Sequence, residues 1–330
     1  MPPSESAFQG PVFVVGMPRS GTKLVRDLLN RHPRIGIPVC ESHFIPHLVQ
    51  RFGAPPPFRT AADLEPLLAE LRGSAFLNEL HRRGVDLDLA GFAVRVDPTR
   101  WDSLFATLFR LAAGTGATAP EIWGDKTPGY LLHMPLLARL FPSARFVHVV
   151  RDPRDYALSV RKTWGKSVLR AAQRWSDSIL IARADGERLG TRYREVRYEQ
   201  LLNDTTAIMR ALCDHLDVEF DEATCSLAAP TEEFGDARGR VDIVQGNVGK
   251  YRNQMTAREL QRVEEIAWPA MTALAYEPVR ARRSRPLTRG ARPLLKVHDS
   301  IKLALFYTRE RGLVGGLRLL AATQRLKSWE

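Results

Sequence analysis

The spacing of apolar residues changes several times along this chain, and the changes mark out elements. Pro11-Val12-Phe13-Val14-Val15 is a short continuous apolar run rich in β-branched side chains, the pattern of a strand buried on both faces. The run stops at Gly16. From Lys23 the spacing is helical, with Leu24 and Leu28 beside Val25 and Leu29. The segment therefore reads as strand, glycine-bearing loop, helix. Arg145–Val150 predicts a second buried strand, which Arg151-Asp152-Pro153 ends, with Pro153 in the first turn of a following helix. Glu195–Tyr198 predicts a third, running into a helix through Leu201 and Leu202. Strands alternating with helices imply an α/β fold with a parallel sheet flanked by helices on both faces. Pro55-Pro56-Pro57 marks a loop, and residues 61–116 read as mostly helical. No internal repeat is visible.

Residues 280–292, with Pro286 inside them and Pro293 just beyond, predict a linker. Past it, Leu294, Val297, Ile301 and Leu305 share a helical face, as do Leu313, Leu317 and Leu320. The expected division is a disordered N-terminus over 1–10, a main body over 11–279 and a basic amphipathic extension over 280–330. The body is large enough for one α/β core, since 44% of the 330 residues are hydrophobic.

Charge sharpens that division. The net charge is +11, but residues 280–330 hold 13 Lys+Arg against 3 Asp+Glu, which leaves the body near neutral. Such a tail points to an anionic surface, a membrane or a polyanion, rather than to a nucleic-acid groove in the fold. Cys40, Cys213 and Cys225 are too few and too scattered for a disulfide framework or a zinc site. Met1–Gly10 has neither the basic nor the apolar region of a signal peptide, and no apolar stretch reaches the ~18 residues of a membrane span. A cytoplasmic setting is expected.

The chemistry centres on Gly16-Met17-Pro18-Arg19-Ser20-Gly21-Thr22-Lys23. A loop between strand and helix points backbone N–H groups and a helix N-terminus at one spot, which suits a phosphate. In a Walker A loop, lysine precedes a hydroxyl residue that reaches Mg²⁺. Here Thr22 precedes Lys23 and Leu24 follows it. Arg151 stands at the end of the next strand, where a Walker-type aspartate would be sought. A phosphate without metal is favoured over a magnesium nucleotide. Further along, Ser159 lies about two turns into the helix that Pro153 opens. Arg151 and Ser159 could meet at one dianionic phosphate, the arginine with a fork of donors and the serine with one more. The competing reading pairs Arg151 with Asp152 or Asp155 on the surface.

Pro18-Arg19-Ser20-Gly21-Thr22 resembles the 5′-phosphosulfate loop of sulfotransferases that use 3′-phosphoadenosine-5′-phosphosulfate (PAPS). Cytosolic members usually carry lysine in place of Arg19, whereas Golgi protein-tyrosine sulfotransferases carry the same five residues. Arg151 and Ser159 are similar to the family's 3′-phosphate element. The resemblance implies a five-stranded P-loop-like sheet, PAPS as co-substrate, 3′,5′-ADP as product, and no metal. It assigns Arg19, Ser20, Gly21, Thr22 and Lys23 to the 5′-phosphosulfate. Val196–Leu202 resembles the segment whose tyrosine, here Tyr198, contacts adenine; a core tyrosine is the alternative. Gly246–Thr256 is similar to a late Gly-x-x-Gly-x-Trp-Lys-Asn segment and brings in Gly249 and Tyr251. The Arg-Lys pair that opens this segment in cytosolic members is absent, because Val244-Gln245 precede Gly246. Arg238, Arg240 and Lys250 are its open replacements. The likeness runs discontinuously over about residues 12–256.

An acceptor hydroxyl needs a base, and the leaving phosphate oxygen needs a cation. Glu41-Ser42-His43-Phe44 resembles the Glu-x-His-Phe of heparan sulfate sulfotransferases, which implies Glu41 as general base. His43 is the rival base. Gly124-Asp125-Lys126-Thr127-Pro128 resembles a Golgi-group segment whose lysine lies against the phosphosulfate, so Lys126 joins Arg19 as a catalytic cation. His133 and His148 are expected to serve hydrogen bonding alone. The implied acceptor is a carbohydrate, glycolipid or tyrosine hydroxyl, lipid-linked if the tail meets a membrane. Two other readings stand beside this one: a kinase using ATP and Mg²⁺, and a polyanion-binding protein working through its tail.

Overall fold

In the computed structural model, residues 8–114, 120–231 and 238–327 are described. Five parallel strands form one sheet in the order β2-β3-β1-β4-β5. They are β1 (Val12–Gly16), β2 (Ile35–Gly36), β3 (Ile122–Asp125), β4 (Arg145–Val150) and β5 (Tyr193–Arg197). The first half of the chain adds helices α1 (Thr22–Leu29), α2 (Ile45–Phe52), α3 (Glu65–Arg72), α4 (Ala75–Arg82), α5 (Leu89–Arg95), α6 (Trp101–Ala113) and α7 (Met134–Leu140). The second half adds α8 (Pro153–Trp164), α9 (Val168–Leu189), α10 (Tyr198–Asn203), α11 (Thr205–His215), α12 (Tyr251–Gln254), α13 (Ala257–Ala273) and α14 (Ala291–Lys327).

Both sheet faces are covered, as the continuous apolar runs require. On β1, Phe13 and Val15 point into the larger core with α6, α9 and α13. Val12 and Val14 point into the smaller core with α1, α10 and α11. Phe13 stacks on Phe146 of β4 at 5.5 Å between ring centroids. The expected strands at β1, β4 and β5 are all present. The two-residue β2 and four-residue β3 are too short to leave a periodic signal in the sequence. Strand order reverses at β1, which has β3 on one side and β4 on the other. Ligands of open α/β sheets bind at such a switch point, beyond the carboxyl ends of the strands.

Two boundaries differ from expectation. Residues 1–7 of the expected disordered N-terminus lie outside the described residues, but Phe8 is buried, with the Arg145 guanidinium 4.3 Å from its ring centroid. The expected linker is a pinned strap. The Glu264 carboxylate accepts the backbone N–H groups of Val279, Arg280 and Ala281 at 2.7–2.9 Å, and Gln173 accepts that of Leu287 at 2.8 Å. Beyond the strap α14 is helical except for a kink at Gly312, whose φ is 70°. The side chains of Leu313, Leu317 and Leu320 lie outside the described residues. The cysteines are free thiols, and no described helix is long and apolar enough to cross a membrane.

His148 sits fully buried on β4, with Nδ1 2.6 Å from the Tyr193 hydroxyl. Burial lowers its pKa to about 3. The unfolded chain protonates this residue near pH 6.5, whereas the folded chain does so only near 3. Stability is therefore lost as pH falls through 6.5, and the loss continues down to the folded pKa. Relative to a His148→Leu variant, the wild type should lose about 2 kcal/mol of unfolding free energy between roughly pH 6.5 and 5. Urea denaturation at both pH values measures this, and parallel profiles for the two proteins would show that the imidazole is not excluded from protonation.

Candidate active site

Because all strands run parallel, their carboxyl ends share one edge. Gly16, Asp125, Val150 and Arg197 end β1, β3, β4 and β5, so the segments that follow them are neighbours. The loop after β1 lies centrally. Arg19 and Gly21 take left-handed backbone, at φ 76° and 97°. A side chain at Gly21 would run into the Tyr198 ring, so glycine is required there for space as well as conformation. No acidic residue occupies the first turn of α1 and no side chain caps it, which leaves its N-terminus open to an anion. The Ser20 hydroxyl is buried without a hydrogen-bond partner, as a group awaiting a ligand would be.

The two elements of the sequence resemblance meet here. Arg19 Nε lies 3.4 Å from Ser159 Oγ, across 140 residues of chain. Arg151 donates to the Arg19 carbonyl at 3.0 Å and to the Asn247 carbonyl at 2.9 Å, with its guanidinium 4.6 Å from the Tyr198 ring centroid. It is 5% exposed, its Nε has no partner, and it makes no ion pair among the described residues. The surface pairing weighed for it is absent. Asp152 is bound by Arg154 at 2.6 Å, and Asp155 accepts the Gly249 and Tyr251 N–H groups at 2.5 and 3.0 Å.

A cleft opens beside these groups, lined among others by Arg19, Arg151, Ser159 and Tyr198. Of the open replacements for the missing basic pair, Arg240 and Lys250 line it and Arg238 does not. Gly249 and Tyr251 do not line it either. Their N–H groups are taken by Asp155, and the Tyr251 ring is buried under Arg154, whose guanidinium is 4.1 Å from its centroid. Sequence reasoning missed Asn247. Its amide donates to the Tyr198 hydroxyl at 2.7 Å and accepts from Lys250 at 2.7 Å, and its carbonyl takes Arg151. An asparagine beside Gly246 was the one available signal.

On the other side of the loop, Lys126 is 1% exposed and 2.5 Å from Glu41, whose second oxygen is 2.9 Å from His43 Nε2. Glu41 and His43, rivals in the sequence, thus form one cluster. Burial alone would raise the Glu41 carboxyl, but the Lys126 charge and the His43 hydrogen bond outweigh it and hold it well below the usual carboxylate range. Burial lowers the proton affinity of Lys126 against the pull of Glu41, and Arg26 and Lys23 repel it further. About a third of the Glu41 side chain, 32%, remains open to solvent. The segment carrying Glu41 is clamped. Arg26 donates to the Val39 carbonyl at 2.7 Å, Asn30 holds both backbone groups of Ile37, and Thr127 accepts the Ser42 N–H at 3.0 Å. His43 has φ 56°, an uncommon conformation for a non-glycine residue. Asp125 corrects the search for a Walker-type aspartate. Arg151 follows only one of the two strands beside β1, and Asp125 ends the other. Its carboxyl is fully buried, and burial, against the opposing pull of the Thr127 and Ser42 hydroxyls, raises its pKa to about 6.

An anion cradle at the switch point of a parallel sheet suits a phosphate-bearing ligand. The sequence model described as the sulfotransferase family matches residues 11–222, and the chain belongs to that family. It is 24% identical over 303 residues to nodulation protein NoeE of Sinorhizobium fredii (strain NBRC 101917 / NGR234), covering 80% of this chain and 65% of that protein. It is 28% identical over 290 residues to the protein-tyrosine sulfotransferase of Drosophila melanogaster, covering 81% and 52%. The chain thus spans between about half and two thirds of the length of these relatives. Among solved structures, the sulfotransferase domain from the curacin biosynthetic pathway aligns with a TM-score of 0.53 at 19% identity, covering 82% of this chain and 99% of that one. The sulfotransferase domain of the Synechococcus PCC 7002 olefin synthase gives 0.50 at 21%, covering 83% and 98%. At these identities the likeness shows a common fold.

Truncating Arg151 to alanine should weaken binding of 3′,5′-ADP by about 10- to 100-fold, the equivalent of ~1.5–3 kcal/mol for charged hydrogen bonds. Asn247→Ala, which removes the side-chain contacts to Tyr198 and Lys250 but keeps the backbone carbonyl that holds Arg151, should cause a smaller loss. Calorimetric titration reads both. An unchanged dissociation constant in Arg151→Ala would remove the arginine from the ligand site.

Proposed function

We propose that this chain is a sulfotransferase that moves the sulfuryl group of PAPS to a hydroxyl acceptor, with Glu41 as general base. The observation that carries the reading is the contact of Arg19 with Ser159 beside the unpaired, buried Arg151. That contact brings the phosphate loop and the strand-end arginine together, which suits one ligand with anionic groups at both ends. The residues fit such a ligand: the orphaned Ser20 hydroxyl and the open start of α1 suit a 5′-phosphosulfate. Arg151 and Ser159, with Arg240 and Lys250 at hand, suit a 3′-phosphate. Tyr198 lines the cleft for the base.

PAPS supplies the sulfuryl group: the acceptor oxygen bonds sulfur as the bond from sulfur to the 5′-phosphate oxygen breaks. The residues do the remainder. Glu41 takes the acceptor's proton, and Lys126 and Arg19 stabilise the charge growing on the departing phosphate. A carboxylate tied to Lys126 is a weak base, so a second anion drawing the ammonium away would raise its basicity as the site fills.

The acceptor belongs to the hydroxyl compounds: a carbohydrate, a glycolipid or a tyrosine, the last being the substrate named for the Drosophila relative. Three free thiols suit a reducing, cytoplasmic setting. Asp125 favours the kinase alternative, and the missing hydroxyl after Lys23 opposes it. Calorimetry separates them, since tight binding of ATP with Mg²⁺ and none of 3′,5′-ADP would overturn the proposal. Mass spectrometry of a lysate labelled from PAPS identifies the acceptor.

Glu41→Gln should keep 3′,5′-ADP binding within a few-fold and lower turnover by about 10²–10⁴-fold. Normal turnover would move the base to another group. Transfer requires an ionised Glu41, and Lys126 and His43 keep it ionised in acid. The wild-type rate should therefore show no carboxylate limb above the ordinary glutamate value of about 4.3. In Lys126→Met, burial acts on the carboxyl without the ammonium, so the acid limb should appear at higher pH while the rate falls. A limb that stays in place in the kcat profile would sever Lys126 from Glu41.

A further inference from the structure

Over residues 291–309, helix α14 is held by one face and bare on the other. On the held face, Leu303 is buried and Leu295 packs on the larger core. Between them the buried Asp299 accepts the Ser167 N–H at 2.8 Å and pairs with Arg170 at 3.0 Å. These three recur at intervals of four. On the opposite face Leu294, Val297, Ile301 and Leu305 are 73, 60, 56 and 50% exposed. At 3.6 residues per turn they fall within an arc of about 80°. The other large exposed apolar residues among those described are scattered, apart from the neighbours Leu180 and Ile181.

Charge surrounds this stripe with one sign. Every Lys and Arg between Arg280 and Arg309 is exposed, and the segment's one acid, Asp299, is turned inward and neutralised by Arg170. Lys296, Lys302 and Arg309 stand on the helix itself, while Arg282, Arg283 and Arg289 stand on the strap. Because Glu264 and Gln173 fix the strap, the cations and the stripe are presented by a rigid body. Association of two copies through this face would oppose like charges. A nucleic acid would match the cations and leave the apolar stripe in water.

We propose that the outer face of α14 and its strap dock on an anionic phospholipid surface. The four apolar side chains enter the headgroup–acyl boundary, and the basic residues pair with lipid phosphates and carboxylates. The lysine stem at 302 lies against Gly165, where α8 ends, and α8 carries Ser159 and Lys162 in the cleft. Docking would therefore hold the nucleotide cleft at a fixed attitude to the membrane. The proposal does not depend on which group is transferred.

Flotation of the full-length protein with vesicles tests it. With about 30% phosphatidylserine in phosphatidylcholine at low salt the protein should float, and at about 0.5 M salt it should not. Val297→Glu with Ile301→Glu, and separately Arg282→Gln with Arg283→Gln and Arg289→Gln, should each weaken partitioning by at least ~10-fold. Retained 3′,5′-ADP binding certifies that each variant is folded, and Ile301→Ser serves if the double variant is not. A wild type that stays in solution with anionic vesicles at low salt overturns the proposal. So does undiminished flotation of a folded apolar-face variant. Sedimentation showing a dimer that the same variant dissociates, without vesicle binding, would assign the face to a second copy instead.

Discussion

A buried guanidinium without a carboxylate is expensive, and among the described residues Arg151 makes no ion pair. Its neutral partners, the carbonyls of Arg19 and Asn247 and the face of Tyr198, orient it without cancelling its charge. The same contacts join the loop after β1, the end of β4, the start of α10 and the segment before α12. Trp175 of α9 fixes the arginine's own carbonyl from behind at 3.1 Å. An anionic ligand would complete the electrostatics that the chain leaves open, while the surrounding packing keeps the charge in place without it.

The other half of the site has the opposite design. Lys126 is more deeply buried than Arg151 and does have its carboxylate. Burial and the ion pair press on Lys126 in opposite senses, and on Glu41 as well. Such a pair is stable while intact and sensitive to any third charge that enters. The clamp of Arg26, Asn30 and Thr127 keeps Glu41 close to Lys126 without closing it off from solvent. An open carboxylate on a fixed backbone, beside a cation near the phosphate loop, is the arrangement a proton acceptor in group transfer requires.

What the sequence disclosed follows the range of the forces involved. β1, β4 and the start of α8 are written in local pattern: apolar runs, a glycine turn, a proline at the first helical position. Arg19 and Arg151 stood out because each follows such a strand, and Ser159 because it lies two turns into α8, whereas Glu41 and Lys126 stood out only through the resemblance of their segments. Topology was not legible. β3 lies between β2 and β1 and brings Asp125 to the switch point, but four residues carry no periodic signature. Asn247 was invisible for another reason, since its three partners come from the chain at three separate distances. The strap over residues 280–290 looked like a linker because its composition is polar and proline-bearing. Composition registers what a segment lacks, and here a single buried carboxylate, Glu264, supplies the missing order by accepting three successive N–H groups.

The run Arg151-Asp152-Pro153-Arg154-Asp155 shows how structural and functional charges separate within five residues. Two arginines and two aspartates could pair off and leave nothing for a ligand. Asp152, at the cap of α8, is taken by Arg154, which also meets the fully buried Glu264 at 2.8 Å. Those partners raise the proton affinity of Arg154 despite its burial. Asp155 spends its two oxygens on the N–H groups of Gly249 and Tyr251 and so draws the cleft's far wall against α8. Glu199 accepts the Asp152 N–H at 2.8 Å and the Tyr276 hydroxyl at 2.9 Å, and is occupied as well. With Asp152, Asp155 and Glu199 committed to the frame, Arg151 is left without an ion pair among the described residues. The acids around it secure the walls of the cleft, and by doing so they keep its positive charge available to whatever anion enters.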